Sequence, residues 1–298
     1  MKKFLALFAV FLCLSLGIAS CNVNSVGGGS SDIIVASKGF TEQDILAELL
    51  AQQIEATTDL KVDRRTLQGT KLCHEALVAG NIDSYVEYTG TALTAVLKES
   101  VIDDPRKVYN LVKQSYDKQF NLEVTEPLGF QNTYAVIVRG EDAKKYNIKT
   151  VSEAVKYASD WDIGIGYEFA EREDGLPGLI KAYNLQFKRR PKSMDLGLIY
   201  RALTQELVDV VVNNSTDGQI ARLGLVILED DKKYFPPYEA APIVNKNTLK
   251  KYPQLQKPLS QLAGILTADE MQELNYQVEG ELRKIKEVVT EFRQVKGL

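Results

Sequence analysis

At 298 residues, with 45% apolar and 26% charged side chains, the chain is long enough for one large or two modest globular domains and too apolar for a disordered one. A formal charge of −4 argues against nucleic acid as a partner. One histidine excludes multi-histidine metal sites, and three cysteines leave little scope for disulfides.

In chain order, Lys2 and Lys3 precede an apolar run from Phe4 to Ile18 that ends in small residues, which reads as a secretory signal over 1–20. The stretch "LGIASC" fits the bacterial lipobox pattern, so Cys21 is expected to become the lipid-modified N-terminus. The following "VNSVGGGSSD" would serve as a flexible Gly/Ser tether over 21–31. An ordinary signal with a chance cysteine is the alternative. Loss of Lys2 and Lys3 moves the charge to −6, and Cys73 becomes the only free thiol. Two acyl chains would hold a soluble body at a membrane. No later stretch reaches the ~18 apolar residues of a span, so any channel is another polypeptide.

From residue 32 strands and helices alternate. "DIIVASKG" is a β-branched run; Thr41 with Asp44 has a capping-box spacing, and Ile45, Leu46, Leu49, Leu50 and Ile54 follow at helical spacing. "KVDRRTLQG" alternates as a strand, and "TKLCHEALVAGN" reads as a helix closed at Gly80. "IDSYVEYTGT" and the helical "ALTAVLKE" complete a first parallel α/β unit. A second unit follows "EPLGFQNTYAVIVRG". It comprises the strand "DIGIGYEF", a loop "AEREDGLPG", helical "LIKAYNL" and "GLIYRALTQELVD", and the strand "VVVNN" before a further capping pattern at Thr216 and Gln219. "LVILEDD" and "APIVNKN" read as returning strands, and the tail from Thr267 is helical with a break near Gly280.

Two α/β units joined by extended segments near 131 and 237 predict lobes over 32–131 with 238–298, and over 132–237. Ligands of such sheets sit beyond the strand carboxyl ends, which brings forward Lys38, Tyr88 to Thr91, Tyr134, Arg172 and the Asn213 to Asp217 region.

Enzymatic chemistry is poorly supported. His74 lies inside a predicted helix and reads as a solvated or core-edge side chain, and Cys73 beside it as a small core residue. "GIGYEF" opens like a dinucleotide fingerprint, but Phe169 stands where the third glycine belongs. Glu168, Glu171, Glu173 and Asp174 crowd a Gly/Pro loop and read as a solvated face.

"DSYVEYTGT" is more informative. Strand alternation sends Tyr85 and Glu87 to one side and Val86 and Tyr88 to the other, after which Gly90 turns the chain and Thr91 opens a helix. Helix N-termini favour anions and tyrosine faces favour cations. A zwitterion with a quaternary ammonium would use both, although two strand-forming tyrosines at a core edge account for the same residues.

"ASKGFTEQ", "DSYVEYTGTAL", "LGFQNTYA", "YEFAEREDGLPGL", "STDGQI" and "EDDKKYFPPYEAAP" together resemble the osmoprotectant-binding lipoproteins of ABC importers, of glycine betaine, choline and carnitine type. The resemblance runs from residue 32 to the C-terminus. It implies a bilobal α/β fold of periplasmic-binding-protein type II, a non-catalytic extracytoplasmic receptor anchored to a bacterial membrane, separate permease and ATPase subunits, no cofactor and no metal. A monomer is expected. It implies a cage of Tyr88, Tyr134 and Tyr238 for the ammonium, and Lys38, Thr91 and Arg172 for a carboxylate. Many members carry an aromatic just before "STDG", where Asn214 stands here. Either glycine betaine is a poor ligand, or the amide serves a larger, more polar cation. A different amine or amino-acid-like solute, a cleft-acid hydrolase or lyase, and a non-transport surface sensor are the rival readings.

Overall fold

A computed structural model describes residues 31–298. The expected signal and the acylated Cys21 lie outside the described residues. Strands β1 (Ile33–Ser37), β2 (Val62–Thr66), β3 (Ser84–Tyr88) and β4 (Leu122–Val124) come first; β5 (Tyr134–Arg139), β6 (Ile163–Gly166), β7 (Lys192–Met194), β8 (Val210–Asn214) and β9 (Leu225–Leu228) follow, and β10 (Ala240–Asn245) comes last. They form two five-stranded sheets, ordered β2-β1-β3-β10-β4 and β7-β6-β8-β5-β9.

The two sheets share one plan. In the first, β1, β2 and β3 are parallel and β10 runs antiparallel to both β3 and β4. In the second, β6, β7 and β8 are parallel and β5 is the antiparallel strand, flanked by β8 and β9. Each antiparallel strand is the first one the chain makes after crossing from the other sheet. The two crossings meet at an isolated antiparallel bridge between Gln131 and Glu239, reinforced by Asn132 N donating to Tyr238 O at 3.1 Å and Ala240 N to Phe130 O at 3.2 Å.

Apolar side chains pack on both faces of each sheet, as buried parallel strands require. One face of the first sheet packs Val35 and Val86 against Leu46, Leu50 and Ile54 of the helix Thr41–Thr57, together with Met271 and Val288 of the C-terminal helices Ala268–Glu279 and Ile285–Lys296. The other face buries Tyr85 and Ile243 against Cys73, Leu77 and Tyr116. In the second sheet Val138, Ile165 and Val212 pack with Leu179, and Ile137 and Val211 with Ile199 and Leu203. Among the described residues no helix is long and apolar enough to cross a membrane.

The structure corrects several local expectations. Thr41 is already inside its helix, whose N-cap is Phe40, and Asp44 instead accepts from Ser37 Oγ at 2.5 Å. Thr216 caps nothing: its hydroxyl donates to Glu42 Oε2, the N-cap of the helix Gln219–Arg222 is Gly218 without a side-chain cap bond, and Asp217 accepts from Gln219 N at 2.9 Å in the turn before it. "AEREDGLPG" is not one loop, because Tyr167–Glu171 is helical and a further helix opens at Leu176. "ALTAVLKE" is a wider, π-type turn over Ala92–Val96. The short strands β4 and β7 carry weak local patterns, whereas the helix Pro105–Phe120, also absent from the expectations, has clear ones: an Asp104 N-cap, a proline in its first turn, Val108, Val112 and Tyr116 on its buried face, and a left-handed Asn121 at its end.

His74 packs edge-on to Phe120 at 4.6 Å and Tyr116 at 5.4 Å between ring centroids, and burial pulls its imidazole below the ordinary value. Cys73 is buried and its thiol is pushed up to about 12 by that burial, which makes it an inert core side chain.

Candidate functional site

A cavity of about 670 Å³ lies between the sheets, and all seven binding residues expected from sequence line it: Lys38, Tyr88, Thr91, Tyr134, Arg172, Asn214 and Tyr238. The strand plan explains the convergence. Lys38, Tyr88 and Asn214 stand at or just beyond the carboxyl ends of parallel strands β1, β3 and β8, and Arg172 follows the helical turn after β6. Tyr134 opens β5 and Tyr238 lies in the crossing just before β10; both strands run the opposite way and so begin at the same edge. Register makes Tyr134 the cross-strand neighbour of Asn214.

Tyr134 and Tyr238 form part of a larger aromatic group. Tyr134 meets Tyr238 edge-on, with centroids 6.0 Å apart, and lies 4.7 Å from Phe169 and 5.9 Å from Phe235. Burial raises the phenols of Tyr88, Tyr134 and Tyr238 above their ordinary value, with Glu42 adding to the effect at Tyr88 and Arg172 opposing it at the other two. All three remain neutral, electron-rich rings. Gly90 gives Tyr238 its place: a Cβ there would lie 2.8 Å from both Pro237 O and Tyr238 Cδ1. Its φ is not positive, so Gly90 is needed for close approach, whereas the sequence reading had it as a turn former.

The basic side chains are already engaged. Lys38 Nζ donates to Glu87 Oε1 at 2.5 Å, both groups being buried, and sits 4.6 Å from the centroid of the Tyr88 ring. Arg172 grips Asp174 through Nε at 2.8 Å and Nη2 at 2.5 Å, and Nη2 also reaches Thr94 Oγ1 at 3.2 Å. Burial would raise the Asp174 carboxyl, but Arg172 outweighs it and holds it below the usual carboxylate range. Asp174 is therefore a partly buried counterion and no part of a solvated face, whereas Glu171 and Glu173 are exposed as expected. Arg172 Nη1 is buried without a hydrogen-bond partner, 3.5 Å from Glu168 Oε1. It is the donor this guanidinium still has to offer.

The sequence reading missed Glu42, which is 3% exposed. Its carboxylate accepts from Tyr88 OH at 2.5 Å, Asn132 Nδ2 at 2.8 Å, Thr216 Oγ1 at 2.5 Å and Asn275 Nδ2 at 3.0 Å. These donors come from the end of β3, the first crossing, the turn after β8 and the Ala268–Glu279 helix. Only its place in "SKGFTEQ" marked it, and there it reads as an ordinary acid in a first helical turn. Phe169 also lines the cavity, although in sequence it stands out only as the residue that breaks the dinucleotide fingerprint, and Phe235 beside Tyr134 has no local mark within "EDDKKYFPPYEAAP". Among the described residues no cluster of His, Cys, Asp and Glu has the arrangement of a metal site.

The family described as the substrate binding domain of ABC-type glycine betaine transport systems matches residues 31–295. The chain is similar to the carnitine transport binding protein OpuCC of Listeria monocytogenes, at 40% identity over 298 residues, covering 98% of this chain and 96% of that protein. It is 37% identical over 292 residues to the ergothioneine transport permease/ergothioneine binding protein EgtU of Helicobacter pylori, covering 97% of this chain and 52% of that protein. A crystal structure of a glycine betaine/carnitine/choline ABC transporter aligns with TM-score 0.76 at 34% identity, covering 89% of this chain and 98% of that one. The architecture is the bilobal type II periplasmic-binding-protein fold.

Proposed function

Because the chain belongs to the family of substrate-binding domains of ABC-type glycine betaine transport systems, we propose that it traps a quaternary ammonium solute in the cavity between its sheets and delivers it unchanged to a separate permease with ATPase subunits. The carrying observation is the convergence of Tyr88, Tyr134, Tyr238 and the free Arg172 Nη1 on one cavity. The trimethylammonium group lies against the tyrosine faces, each desolvated contact being worth ~0.5–2 kcal/mol. The carboxylate takes the Arg172 Nη1 donor and the Thr91 hydroxyl. Lys38, already neutralised by Glu87, shapes the pocket more than it binds the ligand.

Lobe 1 comprises 32–131 with 238–298, lobe 2 comprises 132–237, and the paired crossings at Gln131 and Glu239 act as the hinge. A ligand shifts the balance toward closure only if it touches both lobes. Tyr88 and Thr91 on one side, with Tyr134 and Arg172 on the other, meet that requirement. The body acts as a monomer outside the cytoplasm, held to the membrane through acylated Cys21, without catalysis and without a cofactor.

The test is calorimetric titration with glycine betaine, choline, carnitine and ergothioneine, with the solute recovered afterwards. Binding of at least one, recovered unaltered, is the expected result; formation of product, or no binding by any, overturns the proposal. Arg172→Ala should weaken the carboxylated ligands at least tenfold more than choline. Tyr134→Leu is a cleaner probe of the cage than a change at Tyr88, whose loss would also strip a donor from Glu42.

A further inference from the structure

The cavity has a wall that the tyrosines and Arg172 do not explain. Asp217 and Glu279 both line it, and neither takes part in an ion pair among the described residues. Gln219 joins them, its backbone N–H donating to Asp217 Oδ1 at 2.9 Å and its side-chain Nε2 to Glu279 Oε2 at 3.4 Å. Asn213 lines the same cavity and is 2% exposed. Its Nδ2 reaches Asp217 Oδ2 at 3.4 Å, while its Oδ1 is buried with no partner. A buried, unpaired acceptor beside a carboxylate with no counter-cation is costly unless a donor arrives to satisfy it.

Two further observations point the same way. The lining holds six carboxylates against three basic side chains, and two of those bases, Lys38 and Arg172, are spoken for by Glu87 and Asp174. The lining is thus short of positive charge even after a zwitterion has supplied one ammonium and one carboxylate. Its volume, about 670 Å³, also falls among sites of ~300–1,000 Å³ that bury drug-sized ligands, and a compact betaine fills only part of it.

We infer that Asn213 and Asp217, with Glu279 behind them, form a third recognition pole that selects betaines carrying an additional N–H donor or cationic group, such as a heteroaromatic ring. This rests on the quaternary-amine reading and narrows it. The Asp217 carboxylate and the free Asn213 Oδ1 each accept one hydrogen bond from the added group. The absence of an aromatic at Asn214 is then part of the same polar wall. Burial, with Glu279 adding to it, raises the Asp217 carboxyl to about 7, so an approaching N–H or cation also relieves a carboxylate that is poorly stabilised where it stands.

The experiment compares glycine betaine with Nα-trimethylhistidine, which adds an imidazole to the same two poles, by calorimetry on the wild-type protein and on Asp217→Asn and Asn213→Leu. Thermal melting of each variant serves as a folding control. The wild type should bind trimethylhistidine at least tenfold tighter than glycine betaine, and Asp217→Asn should collapse that ratio at least tenfold, with Asn213→Leu acting in the same direction. An unchanged ratio in a folded Asp217→Asn overturns the third pole. So does a wild type that binds both equally, although the quaternary-amine reading then survives. If neither probe binds the wild type, the third pole falls, and the quaternary-amine reading falls with it only when choline, carnitine and ergothioneine also fail to bind.

Discussion

Glu42→Ala is the sharpest perturbation of this architecture. Four donors from four parts of the chain converge on a single buried carboxylate, and among the described residues no basic group pairs with it. Truncation strands the Tyr88 and Thr216 hydroxyls and the Asn132 and Asn275 amides in a site that is 3% exposed. A buried donor left unmade costs ~1–3 kcal/mol, so even the lower end gives a loss of about 4 kcal/mol for the four. For a body of this size that lowers Tm by about 8–16 °C. Glu42→Gln should cost less, about half, because it keeps an acceptor for Tyr88 and Asn132. Asn275, which also donates to Thr216 O at 2.9 Å, must then either face another donor or flip and abandon that carbonyl. The measurement is calorimetric melting of the ligand-free protein, with denaturant unfolding as a second route to the free energy. A Glu42→Ala protein that melts within about 2 °C of wild type would refute the reasoning, as would a Gln variant less stable than the Ala one.

Gly90→Ala forces a Cβ to within 2.8 Å of Pro237 O and the Tyr238 ring. It should displace Tyr238 and lower quaternary-amine affinity at least tenfold, at an overpacking cost of ~1–3 kcal/mol; normal affinity in a titration would show that Tyr238 is not a cage wall. Asn214→Tyr places a ring across the β5–β8 ladder from Tyr134, and one added cation–π face of ~1–2 kcal/mol should improve glycine betaine binding about tenfold. No gain in calorimetry would remove Asn214 from the cage perimeter. Asp217, buried and faced by Glu279, Tyr200 and Glu42, has its carboxyl raised from 3.8 to about 7. The folded protein therefore holds a proton that the unfolded chain has already lost between those values, so this group makes stability fall as pH rises through that window, by up to ~1.4 kcal/mol per pH unit. Asp217→Asn should flatten that part of a Tm-against-pH profile; an identical slope in the variant would contradict the assignment.

Much of this protein was legible along the chain. Strand and helix periodicity reveals two α/β units because burial on both sheet faces demands runs such as "IIVAS" and "VVVNN". The motifs at Lys38, Tyr88, Arg172 and Asn214 follow strand ends, where a parallel sheet opens to ligand. What the chain could not disclose is pairing across distance. Whether Lys38 and Arg172 bring free charge to the cavity depends on Glu87 and Asp174 folding back onto them. Glu42 looks like any first-turn acid until residues as far along the chain as Asn275 close around it. Asp217 looks like a turn residue until burial beside Glu279 changes its acidity. Local pattern determined which elements form and which of their ends face the ligand, since both follow from side-chain spacing. The tertiary structure decided the electrostatics of the site, because a charge is paired or unpaired only by its neighbours in space.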